Sequence, residues 1–208
     1  MKSEPILVTG ATGYVGGRLV PLLLDSGYTV RVMGRSMAKL QCRPWAHHPN
    51  MALVKADVLD ADSLKEAARG CWAAFYLVHS MTSGAKDFAR TDRKAAHNMA
   101  DATAAAGVER LIYLGGLGED SPDLSEHLRS RKEVAEILES GRVPVTFLRA
   151  AVILGSGSAS FEMLRYLTER IPVMTTPTWV RTPCQPIAIR NVLQYLKGCL
   201  ENEKTAGR

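Results

Sequence analysis

A chain of 208 residues can bury one well-formed core without disulfide or metal staples, and 46% hydrophobic with 23% charged residues excludes a disordered chain and a coiled coil. The formal charge of +5, from 26 Lys and Arg against 21 Asp and Glu, is not gathered with aromatics into a basic groove, so no nucleic-acid partner is expected. Cys42, Cys71, Cys184 and Cys199 form no C-x-x-C pair and lack His at zinc spacing, which predicts no metal site and buried thiols in a reducing compartment.

The chain opens on Met1 to Pro5 and passes into an apolar run ending at Gly10, too short for a signal peptide. No apolar stretch approaches the ~18 residues of a membrane span. The expectation is a cytoplasmic protein without one. Short apolar runs then recur at Ile6 to Thr9, Thr29 to Met33, Leu53 to Val54, Ala74 to Val78, Leu111 to Leu114 and Val145 to Leu148. Being apolar throughout, they predict strands covered on both faces, as in a parallel sheet. Helix-period segments lie between them. Ser63 to Glu66 has capping-box spacing with Gly70 as a stop, the Ala-rich segment Ala95 to Ala106 ends at Gly107, and a further helix is predicted over Phe161 to Glu169. The alternation predicts an α/β fold: a Rossmann-like, doubly wound parallel sheet in a single domain, residues 1–208, with a polar tail over 201–208. The chain is read either as whole or as a fragment of a longer protein.

The strongest motif is the G-x-x-G-x-x-G turn between the first strand and the first helix, spanning Gly10, Thr12, Gly13, Tyr14, Val15 and Gly16. The first glycine permits a tight turn, the second lets backbone amides approach a pyrophosphate, and the third lets helix and sheet pack closely. An apolar-periodic helix follows (Val15, Leu19, Val20, Leu23, Leu24), with a second strand near residue 30. That context predicts a dinucleotide site rather than an ordinary turn. A P-loop, a G-x-S-x-G elbow and an H-E-x-x-H pair are absent.

Between Asp25 and Asp57 there is no acidic residue, whereas Arg31, Arg35, Lys39, Arg43 and Lys55 are basic. NAD sites place an acid at the end of the second strand to accept from the ribose, and NADP sites place a base there. Arg35 is the predicted 2′-phosphate clamp, with the Ser36 hydroxyl beside it at a helix start. Arg31, inside the strand, is read as structural. NADP(H) is therefore preferred, with NAD(H) possible.

Thr9 to Gly16, Ala56 to Val58, Tyr76 to Met81 and Arg149 to Gly155 together resemble the atypical and extended short-chain dehydrogenases, specifically the NmrA-like NAD(P)-binding proteins. The likeness runs from Ile6 to Leu200, with Tyr76-Leu77-Val78-His79-Ser80-Met81 as its most distinctive piece. It implies a parallel sheet of roughly six or seven strands. It also implies that Asp57 and Val58 flank the adenine, that Leu77, Val78 and His79 follow the ribose, and that Ala150 to Gly155 approach the nicotinamide. The segment Gln185 to Asn191 matches the family's late strand-to-helix junction. Read from the residues alone, Asp57 is equally a strand-end turn, His79 a polar cap, and Gly155 to Ser160 a flexible turn before a helix.

The sequence departs from that family where the chemistry should lie. Members that reduce carbonyls use Tyr-x-x-x-Lys, in which the Lys lowers the tyrosine pKa. None of the six tyrosines here has Lys four positions on. In the matching region the pair becomes His127 and Arg131, and Gly115-Gly116 stands where a serine is expected. Three readings stay open: His127 donates the proton while Arg131 holds the nicotinamide ribose; the protein binds the nucleotide without turnover, as a redox sensor or an assembly or regulatory protein; or His127 to Lys132 is a solvated helix face. The first makes the chain an NADPH-dependent oxidoreductase on a small organic substrate, and a nucleotide-sugar epimerase-like enzyme is a further alternative. Expected partners are a small-molecule substrate or a regulatory protein. A homo-oligomer is possible if the Ala-rich helix packs on its twin rather than in its own core. Trp45 and Trp179 are read as packing residues more than as pocket walls.

Overall fold

The structure, a computed structural model, describes residues 2–78, 88–117, 126–171 and 184–208, without the side chains of His127 and Ser160. His79 and Trp179 lie outside the described residues.

Six strands, β1 (Ile6–Val8), β2 (Val30–Gly34), β3 (Met51–Lys55), β4 (Ala73–Tyr76), β5 (Arg110–Gly116) and β6 (Val145–Ala150), form one sheet in the order β3-β2-β1-β4-β5-β6. Every pairing is parallel. The doubly wound prediction holds, and the reason lies in the strands. Alternate residues of β1 and β4 enter opposite cores: Leu7, Ala74 and Tyr76 on one face, Ile6, Val8, Ala73 and Phe75 on the other. Both faces of these central strands are dry, so they carry no polar alternation.

The helices are α1 (Gly16–Asp25), α2 (Met37–Gln41), α3 (Ala61–Ala68), α4 (Phe88–Ala105), α5 (Glu126–Glu139), α6 (Ala159–Arg170) and α7 (Ile189–Glu201). Leu19, Val20, Leu23 and Leu24 of α1 share a core with Val192, Leu196 and Leu200 of α7, while α3, α4 and α5 cover the other face. The Ala-rich stripe of α4, with Ala95, Ala96, Met99 and Ala102 buried, packs in that second core, which removes this face as a twin-helix contact. None of the described helices is long and apolar enough to cross a membrane.

Several expectations need correction. Asp60, not Ser63, caps α3, its side chain accepting from the amides of Asp62 and Ser63. Ser63 Oγ instead accepts from the Asp57 amide at 3.2 Å, inside the helix start. A second pair of parallel strands, β7 (Val152–Leu154) and β8 (Pro186–Ala188), was absent from the strand runs, although Gln185 to Asn191 does form the expected strand-to-helix junction into α7. The polar tail is not loose. It holds a 3-10 turn over Glu203–Thr205, the Phe147 amide donates to the Arg208 carbonyl at 2.8 Å, and Thr146 Oγ1 donates to the Thr205 carbonyl at 2.8 Å, so the tail lies along the outer edge of β6. Arg31 is structural as read, donating to the Ala67 carbonyl at 3.0 Å and the Arg69 carbonyl at 2.6 Å at the end of α3. Trp45 is buried and its indole N–H reaches the Gly17 carbonyl.

Arg110, only 6% exposed, performs the same service for α7, donating to the carbonyls of Cys199 at 2.6 Å and Leu200 at 2.9 Å and of Asn202 beyond it. These are carbonyls that the helix end leaves unpaired, and the cation also meets the negative end of the helix dipole. Arg110→Met is expected to cost about 1–3 kcal/mol by stranding the buried Leu200 carbonyl, Thr205 still donating to the carbonyls of Cys199 and Asn202, a loss that thermal unfolding measures directly.

Two of the four cysteines break the expectation of burial. Cys71 and Cys199 are buried, but Cys42 and Cys184 are exposed, and all four are free thiols. Burial pushes the Cys71 and Cys199 thiols up, with Arg31 and Arg110 respectively opposing it. A thiol reagent at neutral pH is therefore expected to titrate Cys42 and Cys184 in the native protein, and Cys71 and Cys199 only after denaturation.

Candidate functional site

The site forms where β1 and β4 end side by side, at the point where the strand order reverses. Thr9 stitches these ends together: its amide and its hydroxyl both donate to the Phe75 carbonyl at 3.0 Å, and the hydroxyl accepts from the Leu77 amide at 3.2 Å. Gly10 then turns with φ +69°, and a Cβ placed on it would lie 2.5 Å from the Leu77 carbonyl oxygen. A Cβ on Gly16 would lie 2.5 Å from the Gly10 carbonyl oxygen. Both glycines are therefore demanded by backbone approach. The Gly13 amide closes the turn on the Gly10 carbonyl at 2.9 Å, while the amides of Tyr14, Val15 and Gly16 have no acceptor among the described residues. Three donors at the start of α1, with the helix dipole behind them, suit a phosphate.

Two cavities flank this turn and share Gly10, Gly13 and Leu77 in their walls. The first, about 560 Å³, adds Thr12, Gly34, Arg35, Asp57, Val58 and Val78 of the predicted residues and their neighbours, together with Met33, Leu59 and Thr91. Arg35 is exposed at its rim and has no hydrogen-bond or ion-pair partner among the described residues. Ser36 is not in the wall; it caps α2, accepting from the Lys39 amide at 3.4 Å. Arg43, which sequence reasoning left without a role, donates to the Thr12 carbonyl and so braces the turn. Asp57 is a turn residue as well as a wall residue, its Oδ1 accepting from the Leu59 amide at 3.0 Å.

The second cavity, about 380 Å³, is lined by Tyr14, Val15 and Gly16, by Leu114 to Leu117 at the end of β5, by Leu128 and Arg131 of α5, and by Ala150 to Ile153. Arg131 is thus brought to the glycine turn from more than a hundred residues away. His127 stands one turn earlier on α5, and its side chain lies outside the described structure. At Gly115 a Cβ would lie 2.5 Å from the Phe147 ring, so the place expected for a serine is filled by an aromatic edge. Phe147 in turn stacks on Tyr113, with ring centroids 5.1 Å apart, and Tyr76 lies 5.7 Å beyond. Burial holds the Tyr76 and Tyr113 hydroxyls well above the ordinary phenol value, Arg131 opposing this at both. Neither is poised to release a proton near neutrality.

The loop after β7 closes one side. Arg18 stacks 4.0 Å over the Tyr14 ring and donates to the Ser156 carbonyl at 2.9 Å, and a Cβ on Gly155 would lie 2.4 Å from the Tyr14 hydroxyl. Gly155 to Ser158 is therefore a packed latch on the turn. Ser158 anchors it, its hydroxyl donating to the Ile153 carbonyl at 3.0 Å.

The family model described as NAD(P)H-binding matches residues 10–165, three quarters of the chain and both cavities. The chain belongs to this NAD(P)H-binding family. Among curated relatives of this NAD(P)H-binding protein, cinnamoyl-CoA reductase 1 of Petunia hybrida is 29% identical over 57% of this chain and 37% of its own length. The (4-alkanoyl-5-oxo-2,5-dihydrofuran-3-yl)methyl phosphate reductase of Streptomyces griseus is 30% identical over 73% of this chain and 49% of its own. The chain thus spans half or less of each of these two reductases. A short-chain dehydrogenase/reductase superfamily protein from Agrobacterium tumefaciens, solved with bound NAD, shares the fold with a TM-score of 0.74 at 19% identity, over 98% of this chain and 75% of that one. The nucleotide-binding family and the Rossmann-like fold that the resemblance implied are borne out by the family match and the fold.

Proposed function

We propose that this chain is an NmrA-like, NADPH-dependent reductase of a small organic substrate, and that it prefers NADP(H) to NAD(H). The observation that supports the reading is the pair of cavities that share Gly10, Gly13 and Leu77; among the described residues, three amides at the turn between them have no acceptor, Arg35 at the rim of the first has no partner, and Arg131 is the charged side chain in the wall of the second. The residues fit the dinucleotide: the glycines leave room that a Cβ would fill, and three amides at the start of α1 have no acceptor among the described residues.

In this reading Gly10, Thr12, Gly13, Tyr14, Val15 and Gly16 hold the pyrophosphate. Arg35 pairs with the 2′-phosphate, and Ser36, which caps the adjoining helix, fixes the approach of that segment. Asp57 and Val58 border the adenine; Leu77, Val78 and His79 follow the ribose. The bound cofactor supplies a hydride, and the protein's task is to position the acceptor and exclude water. His127 donates the proton, because an imidazole with a pKa of about 6.5 exchanges protons at neutrality without a neighbouring lysine.

A second reading, nucleotide binding without turnover, is favoured by one feature: Phe147 fills the place at Gly115 where the family's hydroxyl is expected. Loss of NADPH absorbance in the presence of small aldehydes, ketones and enones separates the two. The reductase reading predicts turnover that falls by about 100-fold or more in His127→Gln, the usual scale for losing an acid–base group. Nucleotide binding with no turnover of any of these acceptors supports the second reading.

A further inference from the structure

The described side chains that line the second cavity are mostly apolar. Among its described lining residues only Tyr14 and Arg131 carry polar side chains, and Arg131 carries the only charge. The Nε of Arg131 is buried and has no hydrogen-bond partner among the described residues. Its guanidinium acts on the Tyr113 hydroxyl, but burial keeps that hydroxyl protonated, so it offers no negative charge. Asp92, whose carboxylate acts on the same two tyrosine hydroxyls, accepts from Ser130 Oγ at 3.3 Å and is not part of the cavity wall. Among the described residues no carboxylate lines this cavity beside the guanidinium, and a cation set among apolar side chains favours an anionic ligand. The cofactor's own anions have other donors, the turn amides and Arg35, and its nicotinamide ribose, which Arg131 is read as holding, is neutral and leaves the guanidinium charge unbalanced.

We propose that the second cavity takes an apolar organic anion as substrate, with its carboxylate or phosphate paired to Arg131. This rests on the reading that the same cavity holds the nicotinamide end of the cofactor. The apolar walls from Leu114, Leu117, Leu128 and Val152 receive the body of the molecule, and the guanidinium fork receives the anionic end.

The test is a calorimetric titration of the NADP⁺-loaded protein with trans-cinnamate, phenyl phosphate and the neutral amide trans-cinnamamide. At least one of the two anions is expected to bind tenfold or more tightly than the amide. Arg131→Gln is expected to reduce that preference to within about twofold, and Arg131→Lys to restore part of it, which separates lost charge from a damaged fold. Equal binding of acid and amide, no binding of either anion, or an unchanged preference in Arg131→Gln overturns the proposal. So does an Arg131→Gln variant whose main loss is NADPH affinity, since the arginine then serves the cofactor. Failure of the unmodified protein to bind NADPH at all is a separate outcome that removes the cofactor reading and the proposal together.

Discussion

Gly10→Ala is expected to abolish dinucleotide binding and to lower stability by about 2–4 kcal/mol, the range for a strained backbone combined with a steric clash. The residue has φ +69°, which L side chains rarely adopt, and its Cβ would stand 2.5 Å from the Leu77 oxygen and 2.8 Å from the Leu77 carbonyl carbon. Those atoms are backbone and cannot rotate away. Relief requires parting the ends of β1 and β4, which Thr9 ties through three hydrogen bonds. The two cavities share this wall, so the movement disturbs both. Gly70→Ala is the control. Its φ is +71° but a Cβ there would meet nothing within 4 Å, so only the left-handed strain of about 1–2 kcal/mol is expected, with nucleotide binding kept. Chemical denaturation and nucleotide titration of both variants make the comparison.

Arg35→Ala is expected to weaken NADPH binding by about 10- to 100-fold, the scale of charge-assisted hydrogen bonds at about 1.5–3 kcal/mol, while changing NADH binding less than about threefold on the same argument. The side chain follows β2 without a partner among the described residues, so its removal disturbs little of the described fold. The region from Ser26 to Ala56 carries no carboxylate to favour an unphosphorylated ribose. Equal losses for the two nucleotides would remove the 2′-phosphate role.

The main architecture was legible because the central strands are buried on both faces and say so in an unbroken apolar run. The glycine turn was legible because its spacing answers to backbone geometry, which the structure displays at Gly10 and Gly16. Short-range capping was read three residues late: Ser63 has the right spacing to Glu66, yet Asp60 reaches the free amides first, and Ser63 turns back toward Asp57. The strand β7 escaped notice because three residues pair only with β8, more than thirty positions on. Cys42 and Cys184 were misplaced because a cysteine is assigned to the interior by residue type alone. The residues missed in the cavities, Met33, Leu59, Thr91, Leu114, Leu117 and Leu128, are mostly apolar and act by shape, which leaves no chemical signature in a sequence. Leu114 and Leu117 were nonetheless reachable, since they lie at the carboxyl end of a predicted strand, where ligands in such sheets bind.

The most direct measurement is a side-by-side calorimetric titration of the purified protein with NADPH and NADH. The account predicts saturable binding of NADPH, at least about tenfold tighter than NADH, one charge-assisted contact's worth of selectivity. Binding of neither nucleotide, or an equal or greater affinity for NADH, would contradict it.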